Sequence, residues 1–206
     1  MTPRTLTRRA ALVAVAATAA LTLAACGGDG GDKDKAGHGG HAAPGATAAA
    51  HNAQDVAFAQ GMIPHHQQAL EMAKLADGRA SSDRVRDLAD RIEKAQGPEI
   101  RTMTGWLKAW GEQVPTAGMD HSSHGGMTGM SGMMGDDDMA ALKKARGKDF
   151  DTRFLSLMVR HHQGAVEMAG TEKAKGAYGP AERTADAVIT GQSAEIKEMR
   201  QLLGTS

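Results

Sequence analysis

The sequence has a single cysteine, Cys26, and few aromatic residues, which make up only 3% of its 206 residues. Because strands favour aromatic and β-branched side chains, this composition argues against a β-sandwich or a β-barrel, whereas the abundant Ala, Leu, Glu and Arg favour helices. A basic excess is also absent, since 24 Lys and Arg balance 24 Asp and Glu. We therefore expect no nucleic-acid partner. The sequence shows no nucleophile paired with a base and no phosphate-binding loop, so we expect a binding protein and not an enzyme.

The first 25 residues have the features of an export signal. Arg4, Arg8 and Arg9 provide a basic start, and an Ala-, Val- and Leu-rich run follows from residue 10 to residue 25. That run is shorter than the roughly 20 residues of a transmembrane helix. We predict a signal peptide over residues 1–25, and the choice between the general secretory and the twin-arginine route stays open.

The signal ends in Leu23-Ala24-Ala25-Cys26, which resembles a bacterial lipobox. By this resemblance Cys26 is expected to be lipidated and to anchor the chain to the outer face of the cell membrane. The alternative is an ordinary secretory signal that contains a cysteine. A lipidated Cys26 leaves no free thiol in the mature chain, which excludes disulfides and thiolate metal sites. We expect residues 26–51 to be a flexible tether and residues 52–205 to form the folded domain.

An internal repeat dominates the rest of the sequence. Residues 55–76, DVAFAQGMIPHHQQALEMAKLA, match residues 151–172, DTRFLSLMVRHHQGAVEMAGTE, at ten positions. With the same offset of 96 residues, residues 89–103 match residues 185–199 at six positions without a gap. We therefore expect two copies of one helical hairpin, joined by a distinct segment at about residues 112–140.

Apolar residues in both copies recur with the period of an α-helix. At about 100° per residue, Phe58, Met62, Ala69 and their equivalents Phe154, Met158 and Ala165 share one face with the histidine pairs. The pattern predicts helices over residues 53–76, 82–110, 148–175 and 180–203. Since neither hairpin can bury its apolar face alone, we predict an all-α, ferritin-like four-helix bundle made of two duplicated hairpins. Asp55 and Asp151 lie near helix starts, where capping is their expected role.

Each repeat places a His-His pair beside an inward-facing methionine. Imidazole nitrogen together with thioether sulfur suits Cu(I) and silver. We predict two metal sites, and their ligands are Met62, His65, His66, Met158, His161 and His162. Met72 and Met168 are further candidate ligands, although methionine at helical spacing is also typical of a packed core. A hydrogen-bonded structural role is the alternative for the histidines. Gln96 and Gln192 are expected to face inward, where an amide could orient an imidazole or bond to the backbone.

The segment that joins the two hairpins is rich in methionine and histidine. From residue 118 to residue 138 it reads GMDHSSHGGMTGMSGMMGDDD. A plain flexible connector needs neither residue type, and solvated methionine is open to oxidation. Clustered Met and His in a flexible loop fit the capture of a soft metal, and the candidate ligands here are His121, His124, Met127 and Met130. A connector without function is the alternative.

The repeated HHQxAxxMA pattern, present as MIPHHQQALEMA and MVRHHQGAVEMA, resembles the domain of unknown function 305 family. The resemblance covers about residues 50–204 and implies an exported, ferritin-like helical bundle. Some members of that family resemble extracytoplasmic copper-binding proteins involved in copper resistance. The family pattern maps onto Met62, His65, His66, Met72 and their equivalents Met158, His161, His162 and Met168. Arg160 replaces Pro64 in the second copy, so the two sites need not have the same geometry.

The function that this sequence favours is a lipid-anchored, extracytoplasmic copper-binding protein, which acts as a buffer or chaperone with an unknown donor or acceptor protein. One alternative is a metal-free helical scaffold or interaction module of the cell envelope. A di-iron oxidase is the third hypothesis, and it would need inward Glu ligands and a Glu-x-x-His spacing. Glu71 and Glu167 are expected to face solvent, which leaves Glu99 and Glu195 as the plausible carboxylates.

Overall fold

The computed structural model describes residues 50–115 and 131–205. The predicted signal peptide, Cys26 and nearly all of the predicted tether lie outside the described residues. The same is true of the candidate loop ligands His121, His124, Met127 and Met130. The predictions for these residues therefore stay predictions.

Five helices make up the described part of the chain: α1 (Ala53–Lys74), α2 (Asp83–Trp110), α3 (Asp136–Lys144), α4 (Gly147–Lys175) and α5 (Gly179–Leu203). α1 packs on α2, α4 packs on α5, and the two hairpins meet mainly through α1 and α4. Within these residues no strand forms, and an isolated bridge pairs Ala80 with Gly147. The all-α prediction is confirmed, and the four long helices agree with a four-helix bundle. None of the five helices is long and apolar enough to cross a bilayer.

The short helix α3 differs from the sequence-based prediction, which placed residues up to about 140 in a loop. Asp136, Asp137 and Asp138 occupy its first turn, and Lys143 and Lys144 occupy its last. Acidic residues at the start and basic residues at the end of a helix stabilise it through the helix dipole. Met139 and Leu142 are the buried residues of α3, so this part of the connecting segment belongs to the folded core.

Two equivalent aspartates tie the hairpins to each other. Asp55 forms a capping box with Asn52 at the start of α1. It also accepts hydrogen bonds from the backbone N–H groups of Ala177 and Tyr178, at 3.2 and 3.0 Å, in the turn of the second hairpin. Asp151 of α4 accepts the backbone N–H groups of Ser81 and Ser82, each at 3.1 Å, in the turn of the first hairpin. The predicted capping role is confirmed for Asp55. For Asp151 it is wrong, because α4 begins four residues earlier, at Gly147, without a side-chain cap. Each aspartate binds the turn of the opposite hairpin.

The core divides into two apolar clusters. One cluster includes Phe58, Met62, Met103, Leu107, Ala165 and Val188. The other includes Met72, Leu88, Ile92, Phe154, Met158 and Met199. The predicted buried positions on α1 and α4 are confirmed, because Phe58, Met62, Ala69, Phe154, Met158 and Ala165 are at most 3% exposed.

Polar residues separate the two clusters along every long helix. Together they form one layer across the bundle, here called the polar layer: His65, His66, Gln96, Glu99, His161, His162, Gln192 and Glu195. The four histidines are fully buried, and the two glutamines are nearly so. Because burying polar groups costs free energy, a whole layer of them between two apolar clusters points to a role other than stability.

Candidate metal centre

The two histidine pairs meet at the contact between α1 and α4. The ring centroids of His65 and His161 are 3.8 Å apart, with the ring planes tilted by 44°. The centroids of His161 and His162 are 6.4 Å apart. Each hairpin thus contributes one imidazole to a central pair. The two sets of ligands predicted from the repeats therefore lie next to each other, at the pseudo-two-fold axis that relates the two hairpins.

The outer histidine of each pair bonds to a glutamate on the second helix of its own hairpin. Nε2 of His66 lies 2.7 Å from Oε2 of Glu99, and Nε2 of His162 lies 2.7 Å from Oε2 of Glu195. Of the two roles left open for Gln96 and Gln192, the orienting contact to an imidazole is therefore made by glutamates, one helical turn further along. Both glutamines face inward as predicted, but their Oε1 atoms are buried and have no hydrogen-bond partner among the described residues.

Six imidazole nitrogens in the polar layer are buried without a hydrogen-bond partner in the described part of the chain. They are Nδ1 and Nε2 of His65, Nδ1 and Nε2 of His161, Nδ1 of His66 and Nδ1 of His162. Buried polar atoms in folded proteins nearly always have partners, and each unsatisfied one costs about 1–3 kcal/mol. Such a concentration of unpaired nitrogen is the donor chemistry that a soft or borderline metal ion would satisfy.

Burial keeps the central histidines neutral. It lowers the pKa of His65 to about 3, with a further decrease from neighbouring His66, while the nearby backbone of Ser131 opposes the change. Burial, together with the neighbouring histidines, also holds the pKa of His161 well below its ordinary value. At neutral pH both rings therefore keep a nitrogen lone pair, which is the form that binds a metal.

The candidate methionines are placed unequally. Met62 and Met158 are fully buried one helical turn before the histidine pairs, Met72 is fully buried further along α1, and Met168 is half-buried. All four pack in or against the apolar clusters, so core packing accounts for their burial. Among residues 50–115 and 131–205, no three His, Cys, Asp or Glu side chains form a ready-made metal site. A three-ligand site for a metal in this layer would therefore need thioether sulfur or a small rearrangement of the rings.

The end of the Met/His-rich segment is fixed on the bundle beside the polar layer. The backbone N–H of Met134 donates to Oε1 of Gln68 at 2.7 Å, and Nε2 of Gln68 donates to the carbonyl of Met134 at 2.9 Å. On α4, a Cβ added to Gly164 would lie 1.9 Å from the Ser131 carbonyl oxygen. Residues 131–134, here called the stem, therefore lie directly on the backbone of α4. Position 68 and its repeat equivalent, position 164, secure the stem from both hairpins.

The sequence pattern suggested Glu99 and Glu195 only as carboxylate ligands of a di-iron site and not as partners of the histidines, and it suggested no role for Gln68 or Gly164. For the glutamates a signal exists in the sequence, because both are identical between the repeats at the common offset of 96 residues. For Gln68 and Gly164 the repeats differ at the same position, and only the packed stem explains the difference.

Comparison with known proteins agrees with this architecture. The family model for the domain of unknown function DUF305 matches residues 55–203. The chain belongs to the DUF305 family.

Two solved DUF305 structures have the same fold. One is a candidate secreted protein of Streptomyces coelicolor, with 34% identity and a TM-score of 0.64 over 73% of this chain and 91% of that chain. The other is a fragment from Deinococcus radiodurans, with 33% identity and a TM-score of 0.65 over 75% of this chain and 98% of that chain. CopM in its Cu(I)-bound form is 34% identical, with a TM-score of 0.58 over 72% of this chain and 94% of that chain. Comparison with curated proteins gave no match.

Within residues 50–115 and 131–205, the carboxylates of this DUF305 chain are not arranged as in a di-iron centre. Glu71 and Glu167 are exposed, as predicted. Glu99 and Glu195 belong to the polar layer, but each bonds to an imidazole. Di-iron bundles need Glu ligands from all four helices, and the described residues do not provide them.

Proposed function

We propose that this protein binds Cu(I) in the polar layer and acts as a copper buffer or chaperone outside the cytoplasm, without catalytic activity. The observation that supports this most directly is the set of six buried, unpartnered imidazole nitrogens, which lie within one helical turn of Met62 and Met158. Nitrogen and thioether ligands favour Cu(I) and silver over hard cations.

The relatives support the same choice of metal. Structures of CopM are described in Cu(I)-bound, Cu(II)-bound and silver-bound forms, and the chain covers more than nine-tenths of CopM in each of the first two. We propose that His65, His66, His161 and His162, with Met62 and Met158, form the tight sites. Met72 and Met168 would be peripheral ligands at most, because core packing already explains their positions.

We further propose that the protein is held on the outer face of the cell membrane by lipid on Cys26. The sequence before residue 27 supports this, and a candidate secreted relative supports export. In this arrangement His121, His124, Met127 and Met130 would collect metal weakly and pass it to the bundle. Ordering a chain segment when it binds metal costs about 1 kcal/mol per residue, so we expect these four residues to bind metal with lower affinity than the bundle.

A competition titration tests the proposal. The mature protein, loaded anaerobically with Cu(I), should retain copper against a chromophoric Cu(I) chelator. His65→Ala and His161→Ala should each weaken the tight sites, whereas His51→Ala is a matched control, because His51 stacks on Trp110 outside the polar layer. Deleting residues 119–130 should lower the stoichiometry and leave the tight affinity unchanged. If the wild-type protein retains no copper, the metal-free scaffold becomes the better explanation.

A further inference from the structure

We propose that Glu99 and Glu195 are positioning residues. They determine which ring nitrogen of the outer histidines, His66 and His162, binds the metal. By accepting the Nε2–H of His66 and His162, they fix both imidazoles in the tautomer whose lone pair is on Nδ1. Metal in the polar layer is then bound through Nδ1 of these two rings. The inference rests on the proposed copper-binding function, but its structural part applies to the metal-free protein.

The geometry is the same in both repeats. Each Nε2–Oε2 distance is 2.7 Å, and each pair spans 33 residues. The intervening helix sequence differs, since Pro98 precedes Glu99 whereas Ala194 precedes Glu195. The contact therefore follows from the shared placement of His and Glu on paired helices and not from a local peculiarity of α2.

The choice of nitrogen follows from imidazole chemistry. A neutral imidazole has one N–H and one lone pair, and a carboxylate can only accept. Nε2 of His66 and of His162 must therefore bear the hydrogen, which leaves Nδ1 as the donor atom for a ligand. In both rings Nδ1 is buried and has no other partner among the described residues.

The central histidines show what happens without such a glutamate. Within the described part of the chain, no side chain bonds to either nitrogen of His65 or His161, and the backbone of Ser131 lies near His65. Their tautomer is not fixed by any side chain described here. The layer thus contains two oriented and two unoriented imidazoles, one of each from either hairpin.

Position and charge both suit the glutamates to this role. Their side chains are 25% and 20% exposed, while the imidazoles that they bond are fully buried. A carboxylate at the rim can stay solvated and still place negative charge next to a ring that binds a cation. Carboxylates behind ligating histidines raise ligand basicity, and their removal typically costs 10–100-fold in metal affinity.

The first test uses the metal-free wild-type protein. Long-range 1H–15N spectra of protein labelled with 15N-histidine report which ring nitrogen is protonated. We expect the Nε2–H tautomer for His66 and His162. Glu99→Ala should convert His66 to a mixture of tautomers and leave His162 unchanged, and Glu195→Ala should do the reverse. Glu99→Gln should largely restore the wild-type tautomer, because its amide oxygen still accepts the N–H. A His66 that is protonated at Nδ1 in the wild-type protein overturns the proposal.

The second test uses metal-loaded protein. With 109Ag(I) as the probe, the ligating 15N nuclei should show coupling to silver, and we expect it at Nδ1 of His66 and His162. Cu(I) affinity should fall 10–100-fold in Glu99→Ala and Glu195→Ala, and should not change in Glu167→Ala, the control for an exposed glutamate.

The two tests separate this proposal from the proposed function. If the wild type binds neither Cu(I) nor Ag(I), the function fails, while the tautomers of the metal-free protein still decide whether the glutamates position the rings. If the wild type binds metal through Nε2, or if both alanine variants keep wild-type tautomers and affinity, the positioning role fails and copper binding stands.

Discussion

Gly164→Ala should destabilise the protein, although alanine is ordinarily the better helix former. Gly164 is buried within α4, and its missing side chain is what allows the stem to lie on the helix. A Cβ there would be 1.9 Å from the Ser131 carbonyl oxygen and 2.8 Å from Cα of Gly132. To regain ordinary contact distance, the stem must move away from α4 by about 1.5 Å.

The size of the effect follows from what the stem would lose. Two hydrogen bonds join Gln68 to the backbone of Met134, and each contributes about 1 kcal/mol net. Met134 is only 8% exposed, so lifting it exposes apolar surface worth about another 1 kcal/mol. The helix-propensity gain of about 0.5–1 kcal/mol offsets part of this. We expect a net loss of about 2 kcal/mol.

Gly170→Ala provides the matched control. Gly170 lies in the same helix, and a Cβ there would meet nothing within 4 Å. That variant should gain about 0.5–1 kcal/mol, so the two substitutions should have opposite signs. Urea unfolding followed by circular dichroism measures both. Gln68→Ala adds a further check, because it should cost about 2 kcal/mol in the wild type and much less in Gly164→Ala, where the stem has already moved. If Gly164→Ala is as stabilising as Gly170→Ala, the stem does not require glycine at position 164.

Three further predictions concern stability. Burial and neighbouring Asp55 raise the pKa of Glu172 to about 8. The contribution of Glu172 to stability is therefore present below pH 4.5 and is lost as pH rises through 8. In urea unfolding, the Glu172→Gln variant should become more stable than the wild type between pH 6 and 9. The pKa of His65 is lowered to about 3, so its contribution is present above pH 6.5 and is lost as pH falls towards 3. The metal-free protein should lose several kcal/mol over that range, and a His65→Asn variant that loses as much contradicts this cause. Asp151→Ala should lower the free energy of unfolding by about 2–4 kcal/mol, because Asp151 accepts hydrogen bonds from Ser81 and Ser82 and hydrogen bonds to a charged group are the stronger kind. A decrease below about 0.5 kcal/mol would show that water replaces these bonds.

The sequence alone was sufficient for the bundle and for the buried histidines. The repeat identifies two equivalent hairpins, and the spacing of Phe58, Met62 and Ala69 determines which face of α1 is buried. The same reasoning places both histidine pairs inside, since they follow those residues on one face. These conclusions need only the rotation of residues about a single helix axis.

Contacts between helices were harder to predict. Whether Gln96 or Glu99 bonds to His66 depends on how far α2 is displaced along α1, and residue spacing within one helix does not determine that. The contact between the rings of His65 and His161 depends on how the two hairpins dock, and the residue pattern of one hairpin does not determine it. The packing of the stem on α4 was not predicted, because the stem occupies the space that a side chain at position 164 would fill, and a glycine in a helix does not by itself indicate such a contact.

The reciprocal contacts of Asp55 and Asp151 have a consequence for how such a chain arose and how it unfolds. Each hairpin completes the turn of the other, which is the isologous arrangement of a two-fold homodimer, here contained in one polypeptide. A single ancestral hairpin could satisfy its turn in this way only by pairing with a second copy of itself. With both copies in one polypeptide, this pairing does not depend on protein concentration, and Gln68 and Gly164 can differ as two supports for one connecting segment. When one hairpin unfolds, the backbone N–H groups in the turn of the other lose their aspartate acceptor. We therefore expect the bundle to unfold in one cooperative step.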